Sequence, residues 1–176
     1  ALEEILSERI SGGIIIDIKS SQVLQKIKSF AGTHPLPTNE NVKAAKEIVS
    51  LLKNLTENDF VIFIVSGGGS TLLCLPEDRA CEEEAKIFHA LMDAGADISE
   101  INTVRKHLSL ARGGYLAKYA YPVKGVALIF SDVPGNDIQF VASGPTVKDK
   151  TTIYDAEKIL EKYDIPKICG IPECGL

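Results

Sequence analysis

No stretch of this 176-residue sequence approaches the roughly 18 consecutive apolar residues that a membrane-spanning helix needs. Positive charge is also in short supply. Nineteen Lys and Arg against 24 Asp and Glu leave a net charge of −5, without the basic footprint of a general nucleic-acid binder. A small anionic ligand stays open, because a few cations and backbone amides suffice to hold one. The four cysteines, Cys74, Cys81, Cys169 and Cys174, have neither C-x-x-C spacing nor partner histidines, so a zinc site is not expected. They read as free thiols of a reducing cytosol, with a Cys169–Cys174 disulfide as the alternative. Three Glu among the first ten residues do not resemble a secretory signal, and a cytoplasmic protein is expected. Internal repeats and low-complexity linkers are absent from the sequence.

What is present is a soluble composition, 45% apolar and 24% charged, in a length that fits one domain with a sizeable core. Short apolar runs alternate with amphipathic segments. Residues 1–8 read as the end of a helix and Ile14–Ile16 as a buried strand. Ser20–Phe30 is ambiguous: Val23, Leu24, Ile27 and Phe30 fit a helical face, yet Lys26–Phe30 fits a strand. The two prolines of Thr33–Thr38 mark a loop. A helix capped by Asn39 or Asn41 runs to about Lys53, with Val42, Ala45, Ile48, Val49 and Leu52 inward. Further helices are predicted over Ala80–Ala94, from Ser99 to about Ala111, and over Ile153–Tyr163. Phe60–Val65 and Val123–Phe130 are the two strong strands. Lys167–Leu176 shows no periodicity. This alternation predicts a layered α/β sandwich with a mainly parallel, Rossmann-like sheet.

Phe60-Val-Ile-Phe-Ile-Val-Ser66 runs directly into Gly67-Gly68-Gly69-Ser70-Thr71. Three glycines permit a sharp turn and positive φ, and Ser or Thr starts a helix readily. A strand, a glycine turn and a helix start aim free amides at one point, a setting suited to phosphate or carboxylate. A tight turn without a ligand is the competing reading. The run has no Lys of the G-x-x-x-x-G-K-[ST] loop, and its glycines are contiguous rather than spaced G-x-G-x-x-G. A P-loop NTPase and a standard dinucleotide-binding dehydrogenase are both disfavoured.

Asn102, Arg105, Lys106 and Ser109 recur at helical spacing along one stripe, opposite the apolar Ile101, Val104 and Leu108. Such a stripe is either an anion clamp or an ordinary solvated face. Arg112-Gly113-Gly114 is a second candidate anion nest. After the second strong strand, Asp132 stands where carboxylates often hold Mg²⁺. Pro134-Gly135 turns the chain toward Asn136 and Asp137, and Ser143-Gly144-Pro145-Thr146 adds hydroxyls and a glycine amide. A structural aspartate in an Asx-turn is the alternative for Asp132.

Taken in order, Thr33-His-Pro-Leu-Pro37, Ser66-Gly-Gly-Gly-Ser-Thr-Leu-Leu73, Glu100-Ile-Asn-Thr-Val-Arg-Lys-His-Leu-Ser109, Gly113-Gly-Tyr-Leu-Ala117, Ser131-Asp-Val-Pro-Gly-Asn-Asp137 and Ala142-Ser-Gly-Pro-Thr146 resemble the N-terminal domain of the glycerate 2-kinase family. The C-terminal part of that family is called the MOFRL domain, and several members carry the older label hydroxypyruvate reductase. The resemblance covers about residues 10–165. It implies ATP-dependent, Mg²⁺-assisted phosphorylation of D-glycerate, with 2-phosphoglycerate the preferred product, in a cleft between two domains. On that basis 1–176 is one α/β domain, a partial N-terminal domain whose isolated form is expected to be inactive. The resemblance further implies an upstream lysine segment and a C-terminal domain carrying a catalytic arginine, neither of which lies within this sequence. A bare apolar patch is expected where that domain docks, and a homo-oligomer is left open. Asn136 stands where an aspartate is common in the family, and Arg112 where a lysine is usual.

The implied roles follow. Arg105, Lys106 and Asp132 are the catalytic candidates, Asp132 also being the candidate Mg²⁺ ligand. Ser66, Gly67, Gly68, Gly69, Ser70, Ser143, Gly144 and Thr146 are candidates for holding ATP, and Asn102 and Asn136 for the substrate. A non-catalytic module that binds a phosphorylated or carboxylated metabolite is the alternative from another class. A reductase is the third reading.

Overall fold

Residues 2–19, 24–77 and 80–165 are described in a computed structural model of the chain. The element order is α1 (Leu2–Leu6), β1 (Gly13–Asp17), β2 (Ile27–Ala31), α2 (Asn39–Lys53), β3 (Phe60–Ser66), α3 (Gly69–Leu72), α4 (Cys81–Asp93), α5 (Ile98–His107), α6 (Tyr115–Ala120), β4 (Lys124–Phe130) and α7 (Ile153–Lys162). Three 3-10 turns, Ser7–Arg9, Pro134–Asn136 and Val141–Ser143, join them. The result is the expected layered α/β fold with parallel strands.

One sheet was expected. Among the described residues the strands form two separate parallel pairs, β1–β2 in register Gly13↔Ile27 and β3–β4 in register Phe60↔Lys124. The ambiguous segment resolves as a strand over Ile27–Ala31, while Val23 and the tail from residue 166, with Cys169 and Cys174, lie outside the described residues.

Two helix starts differ from the sequence reading. Thr38 occupies the N-cap of α2, and Asn41, three residues on, accepts its backbone N–H at 3.2 Å. Asp97 rather than Ser99 caps α5, accepting the N–H groups of Ser99 (2.8 Å) and Glu100 (2.9 Å), while Glu100 reaches back to the Asp97 N–H. That reciprocal box satisfies donors a helix cannot satisfy itself. The helix also stops at His107, short of Ala111. The Ser109 hydroxyl donates to the Leu73 carbonyl (2.9 Å) and accepts the Leu75 N–H (3.0 Å), so the chain is held to the α3–α4 connection instead of winding on.

Apolar side chains gather in two principal cores. One joins α4, α5 and α7 through Ile87, Leu91, Val104 and Leu160. The other joins α2 and α6 to the inner face of β3 through Val49, Leu52, Leu116, Val61 and Phe63. Glu100 clasps α5 to the end of α7, accepting from Lys162 Nζ and the Tyr163 hydroxyl, both at 2.6 Å. Among the described residues the opposite face of the β3–β4 pair is bare. Phe60, Ile62 and Ile64 lie exposed beside Val126, Leu128 and Phe130, although parallel strands are ordinarily covered on both faces.

Candidate functional site at the ends of two parallel strands

Because Ser66 pairs with Phe130, the glycine turn and the loop after β4 leave the sheet at the same edge. Their approach is close: at Gly69 it requires glycine, and at Gly67 a side chain would have to displace the Asp132 carboxylate. A Cβ on Gly67 would lie 2.0 Å from Asp132 Oδ2, and one on Gly69 would lie 2.6 Å from the Ala142 Cβ. Gly68 has φ +77°, and its Cα faces the His34 imidazole. Segments distant in sequence, around His34, Gly67–Ser70, Asp132 and Ala142, thus meet at one turn.

Beneath the turn runs a chain of hydroxyls and an amide. Ser70 Oγ and Ser143 Oγ are 2.8 Å apart, Ser143 donates to Asn102 Oδ1 at 2.8 Å, and Asn102 Nδ2 donates to the Ile98 carbonyl at 3.0 Å. Thr71, the residue after Ser70 in α3, accepts from Arg105 Nη2 (3.2 Å) and donates to the Pro35 carbonyl (3.3 Å). Asn41 is fully buried and fixes the proline loop from below, accepting from the Thr33 N–H and hydroxyl and donating to the Thr33 and Thr71 carbonyls.

The polar stripe of α5 is neither a solvated face nor a single clamp. Asn102, Lys106 and Ser109 are buried, and Arg105 is nearly so. Arg105 turns toward Thr71 and the glycine turn, with its guanidinium 4.7 Å from the Phe88 ring centre. Burial, with Arg112 as a second positive charge, pushes its pKa down to about 10, so it stays cationic at neutral pH. Lys106, expected to share the clamp, instead pairs with Asp149 at 3.1 Å. Adjacent residues on a helix point about 100° apart, so the two cations serve different neighbours. Burial pushes the Asp149 carboxyl up, yet the Thr151 N–H and hydroxyl together with Lys106 hold it below its ordinary value. His107 lies 3.6 Å from the same carboxylate, and burial lowers its pKa.

Behind Arg105 lies a buried ionic cluster. Arg112 is completely enclosed, with Nη1 2.6 Å from Glu84 Oε1 and donating to the Arg105 carbonyl at 3.0 Å. Glu84 Oε1 also lies 3.9 Å from Arg105 Nε, and Oε2 accepts from the Cys74 thiol. Burial, reinforced by Glu84, raises the Cys74 pKa far above the ordinary thiol range.

Three other candidates sit differently from expectation. The Gly113 and Gly114 amides are no anion nest, because they donate to the Ser143 and Gly144 carbonyls. Ser143 and Gly144 are interior rather than ligand-facing, and the buried Thr146 hydroxyl oxygen has no partner among the described residues. Asn136 is exposed at φ +55°, on the outer corner of the loop. Glu84 and Asp149 carried no expectation from the sequence, and Asn41, a candidate helix cap, proves also to pin the proline loop. Glu84 had a signal, since it lies midway between Cys81 and Ile87 on the inward stripe of α4.

Polar, glycine-lined loops at the carboxyl ends of adjacent parallel strands define the class: an α/β domain of the kind in which strand tips are the usual place for a ligand. Residues 1–170 match the family described as "Domain of unknown function (DUF4147)". The chain is 45% identical to a glycerate 2-kinase of Pyrococcus horikoshii and 42% identical to a D-glycerate 2-kinase of Thermotoga maritima, in each case over 94% of the present chain. A crystal structure of glycerate kinase from Thermotoga maritima superposes with a TM-score of 0.89 at 40% identity over 93% of the chain. A relative from Agrobacterium vitis, 42% identical over 89% of the chain and covered over 36% of its own length, is named a putative hydroxypyruvate reductase. The chain belongs to the glycerate 2-kinase family. It spans 37% and 40% of the two kinases and 40% of the solved chain.

Proposed function

We propose that this chain is the partial N-terminal domain of a two-domain, ATP-dependent kinase that converts D-glycerate to 2-phosphoglycerate. One observation carries the reading: the glycine turn packs its Cα atoms against Asp132 and Ala142, which only a backbone bare of side chains permits. Phosphoryl transfer asks for positioning and charge neutralisation rather than covalent chemistry from the protein. The Gly67–Gly69 turn lets an anion approach the main chain, and Arg105, anchored on Thr71, supplies positive charge beside it.

No group of three or more His, Cys, Asp or Glu side chains that could cage a metal occurs among the described residues. Mg²⁺ does not need such a cage, being usually bound through one or two carboxylates while phosphates and water complete its shell. Asp132, an exposed carboxylate at the tip of β4, is the residue that would hold it. Bound there, Mg²⁺ would neutralise phosphate charge.

The test is ADP release from ATP and D-glycerate by the protein expressed from its complete reading frame, with ³¹P NMR of the product. A phosphate on the secondary carbon gives a doublet from its single neighbouring hydrogen, and one on the primary carbon gives a triplet. The doublet is expected. Binding of glycerate and ATP without ADP release would favour a non-catalytic module, and NADH oxidation with hydroxypyruvate would favour the reductase. The 176-residue chain by itself should show no measurable turnover, since loss of a transition-state cation alone costs about 10³-fold or more.

A further inference from the structure

Ser70 follows the three glycines, where a hydroxyl is commonly expected to donate its proton to a phosphate or carboxylate oxygen. The hydrogen bonds beneath it dictate the opposite polarity. Asn102 Nδ2 donates to the Ile98 carbonyl, so the amide oxygen is the group turned toward Ser143. An amide oxygen only accepts, which makes Ser143 the donor at 2.8 Å. A serine hydroxyl has one proton, so Ser143 can only accept from Ser70, 2.8 Å away. The Ser70 proton is thereby committed inward, and only lone pairs remain for anything arriving from outside. Ser143 is fully buried and Asn102 nearly so, which shields the inner bond from competing water, while the Ser70–Ser143 bond is half-buried at the mouth of the site. Thr71, the adjacent hydroxyl, already donates and accepts within the protein, so Ser70 alone of the pair is left to act outward.

We propose that Ser70 is a hydrogen-bond acceptor for one of the two alcohol hydroxyls of glycerate, held in that polarity by Ser143 and Asn102 as positioning residues. The proposal rests on the kinase reading and deepens it. It revises two expected roles: Ser70 does not cradle an anion, and Asn102 orients the substrate hydroxyl through two intervening serines rather than by touching it. A neutral acceptor at this point also discriminates among ligands. It favours an alcohol and repels a carboxylate or phosphate oxygen.

The test is a cycle between protein and substrate in the full-length protein. Glycerate is compared with lactate, which lacks the 3-hydroxyl, and 3-hydroxypropionate, which lacks the 2-hydroxyl, both as competitive inhibitors. Ser70→Ala should weaken glycerate by roughly three- to tenfold, the worth of one neutral hydrogen bond, with the KM for ATP unchanged. The same substitution should leave one of the two analogues unaffected, namely the one missing the hydroxyl that Ser70 accepts. Ser143→Ala should raise the KM for glycerate by a similar factor without adding to Ser70→Ala, because both act on the same bond. Equal loss for both analogues would overturn the proposal. So would a change confined to the KM for ATP, or one relieved by excess Mg²⁺, which would make Ser70 a phosphate or metal contact. Wild-type protein that turns over no glycerate at all would refute the kinase reading instead.

Discussion

Glu84→Ala should be among the most destabilising single substitutions in this chain, and its cost follows from what it would leave behind. Arg112 is entirely enclosed, and Nε and Nη2 have no hydrogen-bond partner among the described residues. Its charge is answered by Glu84 at 2.6 Å and by one backbone carbonyl. Removing one member of a buried ion pair typically costs about 3–5 kcal/mol, because the surviving charge stays desolvated. Domains of this size lose about 2–4 °C of Tm per kcal/mol, so a fall of about 6–20 °C is expected. Urea denaturation followed by circular dichroism is the assay, urea being uncharged and therefore neutral toward the pair. Replacing both partners by apolar residues, Glu84→Leu with Arg112→Met, should recover most of the loss, since an apolar pair leaves no unanswered charge. A Glu84→Ala cost below about 1 kcal/mol would refute the reasoning and show that Arg112 finds water or another partner.

Gly67→Ala would drive a methyl into the Asp132 carboxylate and should raise the Mg²⁺ needed for half-maximal activity by about tenfold or more; an unchanged requirement would remove Asp132 as the metal's holder. Cys74 and Cys81 should resist alkylation at pH 8 in the folded chain and react once it is unfolded, since burial holds Cys74 far up and pushes Cys81 to about 11. The Lys162 ammonium and the Tyr163 hydroxyl hold Glu100 down to about 2, against an ordinary 4.5. A depressed carboxyl stabilises the fold above its unfolded pKa and stops doing so as pH falls through its folded one, so the α5–α7 clasp should weaken between about pH 4.5 and 2. Glu100→Gln should flatten that part of the acid-stability profile, and an unaltered profile would count against the clasp. Charged substitutions on the bare sheet face, Ile64→Lys or Leu128→Glu, should suppress self-association of the 176-residue chain measured by light scattering.

Periodicity made most elements legible. The apolar run of β3 and the 3.6-residue spacing of α2 and α7 are local signals, and their limits fall within a residue or two of expectation. Caps were less legible, because Thr38, Asn39 and Asn41 are all competent and only tertiary contact to the proline loop selects Thr38. The motifs at the strand tips were visible as a set, yet the sequence could not say that Arg105 and Lys106 would part company. That outcome depends on Asp149, which stands between two lysines and looks like a surface residue. The partnership of Ser70, Ser143 and Asn102 was likewise hidden, because it joins residues from three separate elements. Hydroxyls and amides carry no pattern that announces a partner some 70 positions away.

The pairing of β3 with β4 has a consequence for how the chain is made. Residue 60 lies opposite residue 124, so β3 emerges from the ribosome well before the strand it needs. At about 5–20 residues per second the wait lasts about 3–13 seconds. During it an uncharged run, Phe-Val-Ile-Phe-Ile-Val, has unpaired edges and two apolar faces, the composition that stacks into intermolecular sheets. Glu57 and Asp59 just before the run are the only nearby charges to oppose such stacking. Even after β4 arrives, no other part of the described residues covers one of those faces. The segment that shapes the ligand site is therefore also the one for which a nascent chain most needs a chaperone.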